Sequence, residues 1–263
     1  MRIIPWNILG AILGAGLCAP AATIVLYDGT FSNSDWTSTV VTQVGSMSGS
    51  ATQIGSGGNP GTYRQTTLSW PRVPSPSQHS MTIAHFGPLT FDPSTTGGIQ
   101  QIDIEFDVAW ISGPPTYSTT GYYRPYIQQA GNWFVYQPKS ASADSTTWVS
   151  HLLTSTSAND WGPVIGFGSG LPDFSSSGAP ITFGYRVLFN LNCPSGFSHC
   201  VPRSLVSGID NFKVTITTID RAADPPADLP TDVPEPTTAA LGSIGLIGAA
   251  LLSRRRRSDR RLY

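Results

Sequence analysis

The sequence predicts an all-β fold: one two-sheet antiparallel β-sandwich, preceded by an N-terminal signal peptide and followed by one C-terminal transmembrane helix. Three observations point there. Charged residues are only 12% of the 263, against 27 Gly and 22 Pro. Lys, a strong helix former, occurs only as Lys139 and Lys213, so the composition argues against a helical protein. Short apolar–polar alternations recur between turn-rich segments, the period of half-buried strands. Finally, 7 Trp, 9 Tyr and 11 Phe are too much aromatic surface to leave solvated, so the chain packs a core.

Residues 1–21 read as a secretory signal. Arg2 precedes the apolar run from Ile3 to Leu17, and Ala19-Pro20-Ala21 supplies the small residues that signal peptidase reads. The run is too short to span a bilayer comfortably. Cys18 follows Leu17, where a lipoprotein signal wants a small residue, so lipidation is not expected.

Residues 22–219 form the sandwich domain. Its clearest strand is Ile99 to Trp110, in which Ile102, Ile104, Phe106 and Val108 face one way and Asp103, Glu105 and Asp107 the other. Phe212 to Ile219 is a second. Further strands are expected at Thr23 to Tyr27, Thr66 to Trp70, Met81 to Phe86, Tyr123 to Gln128, Trp133 to Gln137, Thr147 to Leu153, Val164 to Phe167 and Ile181 to Leu191. Gly- and Pro-rich stretches at 55–61, 112–115 and 175–180 read as loops. Cys193 and Cys200 remain after signal removal, in an exported chain, and are expected to form a disulfide. The rival is a metal site with His199, for which no fourth ligand is near in sequence.

Residues 220–236 are a Pro-rich acidic linker ending in Val233-Pro234-Glu235-Pro236. Residues 237–253 are uncharged and mostly apolar, just long enough for a short transmembrane helix. In the tail, 254–263, Arg254, Arg255, Arg256 and Arg257 act as a stop-transfer cluster that holds the C-terminus in the cytoplasm. Val-Pro-Glu-Pro, a short Gly-containing apolar span and an Arg cluster, in that order, resemble the PEP-CTERM sorting signal. The resemblance implies export in a Gram-negative, exopolysaccharide-making bacterium, with processing by signal peptidase and by exosortase. It further implies a transient inner-membrane anchor through the C-terminal helix, and a final place at the envelope, cell surface or extracellular matrix. Residues 22–232 hold eight basic and fourteen acidic residues, a net charge near −6. Such a chain is repelled by phosphate polymers, which argues against nucleic acid as a partner.

Asp28-Gly29-Thr30-Phe31, followed by Trp36, and the closing Ile209-Asp210-Asn211-Phe212 with Val214 resemble the first and last strands of jelly-roll carbohydrate-binding and laminin-G-like modules. In some of these the terminal strands share a structural calcium, the only cofactor implied here. Carried over, its candidates are Asp210 and Asp28. Calcium needs six to eight oxygens, of which only two side chains can be named, so Asp210 and Asn211 read rather as caps of a turn entering the last strand.

Gln101-Ile102-Asp103-Ile104-Glu105-Phe106 is similar to the Glu-x-Asp-x-Glu-Phe strand of laminarinase- and lichenase-type β-glucanases. There the first Glu is the nucleophile, whereas this chain has Gln101. An amide cannot form the glycosyl-enzyme ester, so no catalytic residue is assigned and the protein is expected not to be an enzyme. Tyr117, Tyr122, Tyr123, Tyr126, Trp133 and Tyr136 crowd one stretch, interleaved with Gln128, Gln129 and Asn132. Aromatic planes stack on sugar C–H faces and amides meet hydroxyls. Tyr123, Trp133 and Tyr136 are therefore the glycan-binding candidates, and exopolysaccharide the expected ligand. The alternatives are a degenerate or active glucanase-like hydrolase and a purely structural or adhesive matrix protein.

Overall fold

The structure, a computed structural model, describes residues 21–74, 77–113, 121–193, 195, 199–200 and 203–219. Most of the signal segment, Tyr117, the linker with Val233–Pro236, the apolar span and the Arg254–Arg257 cluster lie outside the described residues.

The strands run β1 Thr23–Asp28, β2 Thr37–Val44, β3 Ser48–Gly58, β4 Gly61–Trp70, β5 Val73–Pro74 and β6 Ser77–Phe91. A one-turn helix α1 (Pro93–Thr96), capped by the Asp92 side chain, leads to β7 Ile99–Ser112. Then come β8 Gly121–Gln129, β9 Asn132–Tyr136, β10 Ala141–Ala143, β11 Val149–Ser155, β12 Trp161–Pro163, β13 Ile181–Cys193, β14 His199–Cys200 and β15 Arg203–Thr218. All pairings are antiparallel. A six-stranded sheet has the order β11-β7-β15-β4-β3, with β1 also on β15. A seven-stranded sheet has the order β12-β9-β8-β13-β6-β2, with β10 also on β8. This is the expected jelly-roll-like sandwich.

Alternation explains the core. Ile102, Ile104, Phe106 and Val108 of β7 point inward, as do Ile181, Phe183, Tyr185, Val187, Phe189 and Leu191 of β13, all nearly without exposure. In β15 the inward set changes parity, from Leu205, Ser207 and Ile209 to Phe212, Val214 and Ile216. A bulge makes the change: against β7, three residues advance from Asp210 to Lys213 while two advance from Asp107 to Glu105. Asn211 occupies the extra position, in the left-handed region at φ 53°, which Asn tolerates better than most residues.

Polar bonds also cross the interior. The Tyr123 hydroxyl lies 2.6 Å from Ser207 Oγ, Arg64 Nη2 donates to Ser38 Oγ at 3.1 Å, and Trp161 Nε1 donates to Ser155 Oγ at 2.9 Å. Cys193 and Cys200 form the expected disulfide, Cα atoms 5.8 Å apart, joining the end of β13 to β14.

Several expected elements differ. Residues 164–167 are a turn rather than a strand, and 55–61 is mostly the β3–β4 hairpin rather than a loop. β2 and β3 were not expected at all. Among the described residues no helix is long and apolar enough to cross a membrane.

Candidate functional site

The outward residues of the six-stranded sheet build a groove of about 380 Å³. Register places its walls: Glu105 on β7 pairs with Lys213 on β15 and with Leu152 on β11, while Tyr27 on β1 pairs with Lys213 from the other side. Period two thus lifts four strands' polar residues onto one surface. Lys213 Nζ sits 2.7 Å from Glu105 Oε1, a partly exposed ion pair. Tyr27 is 56% exposed, and its hydroxyl donates to Asn211 Oδ1 at 2.8 Å.

The bulge organises one end of this groove. Asn211 Nδ2 donates to Asp107 Oδ2 at 2.7 Å and also to the Asn59 carbonyl. Asn59 Nδ2 reaches the same Asp107 oxygen at 3.0 Å. Asp210 accepts from the Asn59 and Asn211 backbone N–H groups. Burial pushes the Asp210 carboxyl above the usual carboxylate range; the two N–H bonds oppose this, and the neighbouring Asp107 charge adds to the rise. The Tyr27 phenol is raised by burial, then by Asp210, Asp28 and Asp107. At the groove's flank His151 is lowered, first by burial and then by Lys139.

An aromatic ridge borders this end. Trp148 meets Tyr63 edge-on at 5.3 Å and donates from Nε1 to the Gly57 carbonyl at 3.0 Å. Gly208 lies beneath both rings, and a Cβ there would come within 2.7 Å of Trp148 and 2.8 Å of Tyr63.

The three aromatics named from sequence do not form a surface platform, which corrects that expectation. Tyr123 faces inward from β8 and has no exposure. Tyr136 faces inward from β9, 5% exposed, with its hydroxyl donating to the Thr154 carbonyl at 2.7 Å. Both rings fill the space between the sheets, where large apolar side chains are needed. Trp133 alone points outward, from the seven-stranded sheet. It is half-buried, stacked on Phe167 at 4.4 Å and edge-on to Phe86 at 5.0 Å.

Asp28 and Asp210 also play other parts. Asp28 Oδ1 accepts from Thr30 N, Thr30 Oγ1 and Phe31 N, and Oδ2 from Trp36 Nε1 at 2.6 Å. Burial alone would raise this carboxyl, but the Trp36, Phe31 and Thr30 donors outweigh it and hold it below the usual range. Both oxygens are thus taken by N–H and O–H groups. Among the described residues no three His, Cys, Asp or Glu converge to hold a metal ion, and this donor set does not fit a shared calcium.

Of the glucanase-like strand, Gln101 Nε2 donates to Asp103 Oδ2 at 2.8 Å, Thr154 Oγ1 donates to Asp103 Oδ1 at 2.6 Å, and Glu105 is held by Lys213. That is the chemistry of a solvated strand face. Tyr27, Asn59 and Lys213 were not expected at a site, and Asp107 and Asn211 were expected only as a strand-face acid and a turn cap. The one signal was the two polar residues between Ile209 and Phe212, where alternation allows one.

No curated protein matches the chain. Among solved structures, a CBM22 xylan-binding domain from Paenibacillus barcinonensis is similar at 9% identity and TM-score 0.37, covering 76% of this chain and 99% of that one. The CBM22 and GH10 modules of a Clostridium thermocellum endo-1,4-β-D-xylanase, solved with xylohexaose, show 12% identity and TM-score 0.36, over 73% of this chain and 28% of that one. A CBM61 bound to β-1,4-galactotriose is similar at 8% identity and TM-score 0.30, over 71% of this chain and 90% of that one. Residues 232–257 match the PEP-CTERM protein-sorting motif, so the chain carries the signal of an exported, exosortase-processed, envelope-associated protein.

Proposed function

We propose that the sandwich is a non-enzymatic polysaccharide-binding domain of the cell surface or extracellular matrix, and that it holds sugar in the groove around Tyr27. The observation that carries this reading is the exposed Tyr27 ring, tethered through its hydroxyl to Asn211 beside Glu105, Asp107 and Lys213. A fixed aromatic plane offers a stacking face for sugar C–H groups at little entropic cost, and flanking amide, carboxylate and ammonium groups suit hydroxyls. Lys213 is paired with Glu105, and Asp107 is capped by the Asn59 and Asn211 amides, so no free cation is left to demand an anionic ligand and uncharged sugar units fit best. Export by the sorting signal brings such a domain to where polysaccharide is. Signal peptidase and exosortase are then its processing partners, and the membrane is a transient one.

Calorimetry of the full chain in detergent micelles, titrated with the producing organism's exopolysaccharide and with neutral gluco- and xylo-oligosaccharides, tests this. Saturable heat is expected from at least one of them. Tyr27→Ala should weaken it tenfold or more, equivalent to about 1.4 kcal/mol, and Trp133→Ala should leave it unchanged. Heat indifferent to Tyr27, or none from any of these sugars, sinks the reading. Reducing ends released on incubation would instead establish a hydrolase.

A further inference from the structure

The opposite face of the sandwich carries a feature that the groove does not explain. Arg124 of β8 and Arg186 of β13 stand directly across from each other on the outer side of the seven-stranded sheet. Like charges directly opposed across strands repel. Among the described residues neither is paired with an acid; the Lys213–Glu105 pair lies on the other sheet. The residues that register turns outward beside them are Thr182, Gly184 and Leu188 on β13, Tyr122, Tyr126 and Gln128 on β8, and Thr82, Ala84 and Phe86 on β6. None is an acid.

Both arginines line a cavity of about 270 Å³. Arg186 Nε is buried there with no hydrogen-bond partner, and the Arg186 guanidinium lies 6.0 Å from the Tyr126 ring centroid. An unpaired buried donor costs free energy unless something accepts from it. Burial, and then the neighbouring Arg186, lower the Arg124 pKa; an anion between the two would relieve that repulsion. The remaining lining is amphipathic. Thr42, Thr82 and Gln137 offer hydroxyl and amide groups, while Tyr126, Val164 and Ile165 offer an apolar wall, Ile165 being 91% exposed.

We propose that this cavity binds the carboxylate of an acidic sugar unit, gripped by Arg124 and Arg186. Arginine presents parallel N–H donors that match a carboxylate in bidentate fashion. The apolar wall and the scattered hydroxyls suit a sugar ring attached to that carboxylate. A bare inorganic anion would leave the apolar side unused. The volume of about 270 Å³ is just below the range of drug-sized ligand pockets, about 300–1,000 Å³, which fits one sugar unit rather than a protein segment. This site is separate from the Tyr27 groove, and either can stand without the other.

The test titrates the full chain in detergent micelles, at low salt, with trimeric galacturonate, its methyl-esterified counterpart and sodium sulfate. Methyl esterification removes the charge and leaves the ring. The acid trimer should bind saturably, and the ester and sulfate at least tenfold more weakly. Arg124→Gln and Arg186→Gln should each weaken the acid trimer tenfold or more. Arg186→Lys, which keeps the charge and the packed stem but not the fork, should weaken it severalfold with its thermal transition preserved. Tyr27→Ala should leave acid-trimer binding intact, which separates failure here from failure of the groove reading. Equal binding of ester and acid, sulfate binding as tightly as the trimer, arginine variants that fold and bind normally, or no binding of the acid trimer would each overturn the proposal.

Discussion

His85 shows how one buried side chain sets the protein's response to acid. Its ring is sealed inside the sandwich, 4.8 Å from Tyr185, with Nδ1 2.8 Å from Ser38 Oγ and Nε2 without a partner. Burial, and then the Arg64 charge, lower its pKa from 6.5 to about 3. Between those values the unfolded chain binds a proton that the fold does not. Its contribution to stability is therefore complete above pH 6.5 and is lost as pH falls toward 3. At about 1.4 kcal/mol per pH unit, this is a loss of a few kcal/mol. Asp28, held below the usual carboxylate range, adds a loss in the same direction once pH falls below ordinary carboxylate values. Asp210, raised, works the other way: its contribution is present in acid and lost as pH rises through its folded pKa. Between pH 6.5 and 4.5 His85 and His151 both work toward this loss, and Asp210 opposes it. There the melting temperature of the native chain should fall with pH, and His85→Gln should show a smaller slope. An unchanged slope in His85→Gln would place the acid sensitivity elsewhere. Asp28→Ala, which orphans the buried Trp36 indole N–H among four donors, should cost about 3 kcal/mol in denaturant titration. Asp28→Asn, whose single amide oxygen can keep the Thr30 and Phe31 donors while its NH2 replaces the acceptor of the Trp36 N–H, should cost less.

At the scale of elements, the β15 bulge ties fold to site. It flips the inward parity of the last strand and puts Asn211, Asp210 and Asp107 at one end of the groove. Asn211→Gly should preserve stability to within about 1 kcal/mol, since glycine accepts a positive φ, yet release the Tyr27 ring and weaken sugar binding. Asn211→Val should cost about 1–3 kcal/mol, because a β-branched residue resists that conformation. Deleting Asn211 should prevent folding, for the shortened strand would turn Phe212, Val214 and Ile216 outward. A cooperative thermal transition in the deletion variant would refute this role for the bulge. β7 and β13 were legible because a buried face and a solvated face impose strict alternation. β2 and β3 were hidden because they are edge strands: Thr37, Ser38, Thr39, Ser48 and Ser50 meet water and carry no apolar signal. Residues 164–167 imitated a strand because Val164 and Phe167 cover an apolar patch on the outer face of the seven-stranded sheet. That patch also explains the misplaced aromatics. Apolar rings lie on both faces of β8 and β9, so alternation could not tell the inward Tyr123 and Tyr136 from the outward Trp133.

For the whole molecule, the decisive contact joins the beginning of the domain to its end. β1 pairs with β15 from Thr23↔Thr217 to Asp28↔Phe212, and Thr218 N donates to the Ala22 carbonyl at 2.9 Å. β15 is also the strand that bridges β7 to β4 in the six-stranded sheet. Without it that sheet falls into two pieces, each with one apolar face uncovered by a continuous neighbour, and β1 has no partner. The six-stranded sheet therefore cannot close until the residues just before the sorting segment are available. Everything needed for closure lies between Ala22 and Ile219. Residues 22–219 should accordingly unfold in one cooperative transition at the melting temperature of the full chain, as monitored by near-ultraviolet circular dichroism. A chain ending at residue 202 should show no such transition and should be cut rapidly by added protease. Should the chain ending at 202 melt cooperatively, the seven-stranded sheet would be stable alone and β15 would not be the closing strand. Should 22–219 fail to fold while the full chain folds, the sorting segment would contribute to the sandwich itself. With the disulfide reduced, the 22–219 domain should lose only about 2–3 kcal/mol, as expected for so short a closed loop, and should keep its single transition, because the bond ties only β14 to the end of β13.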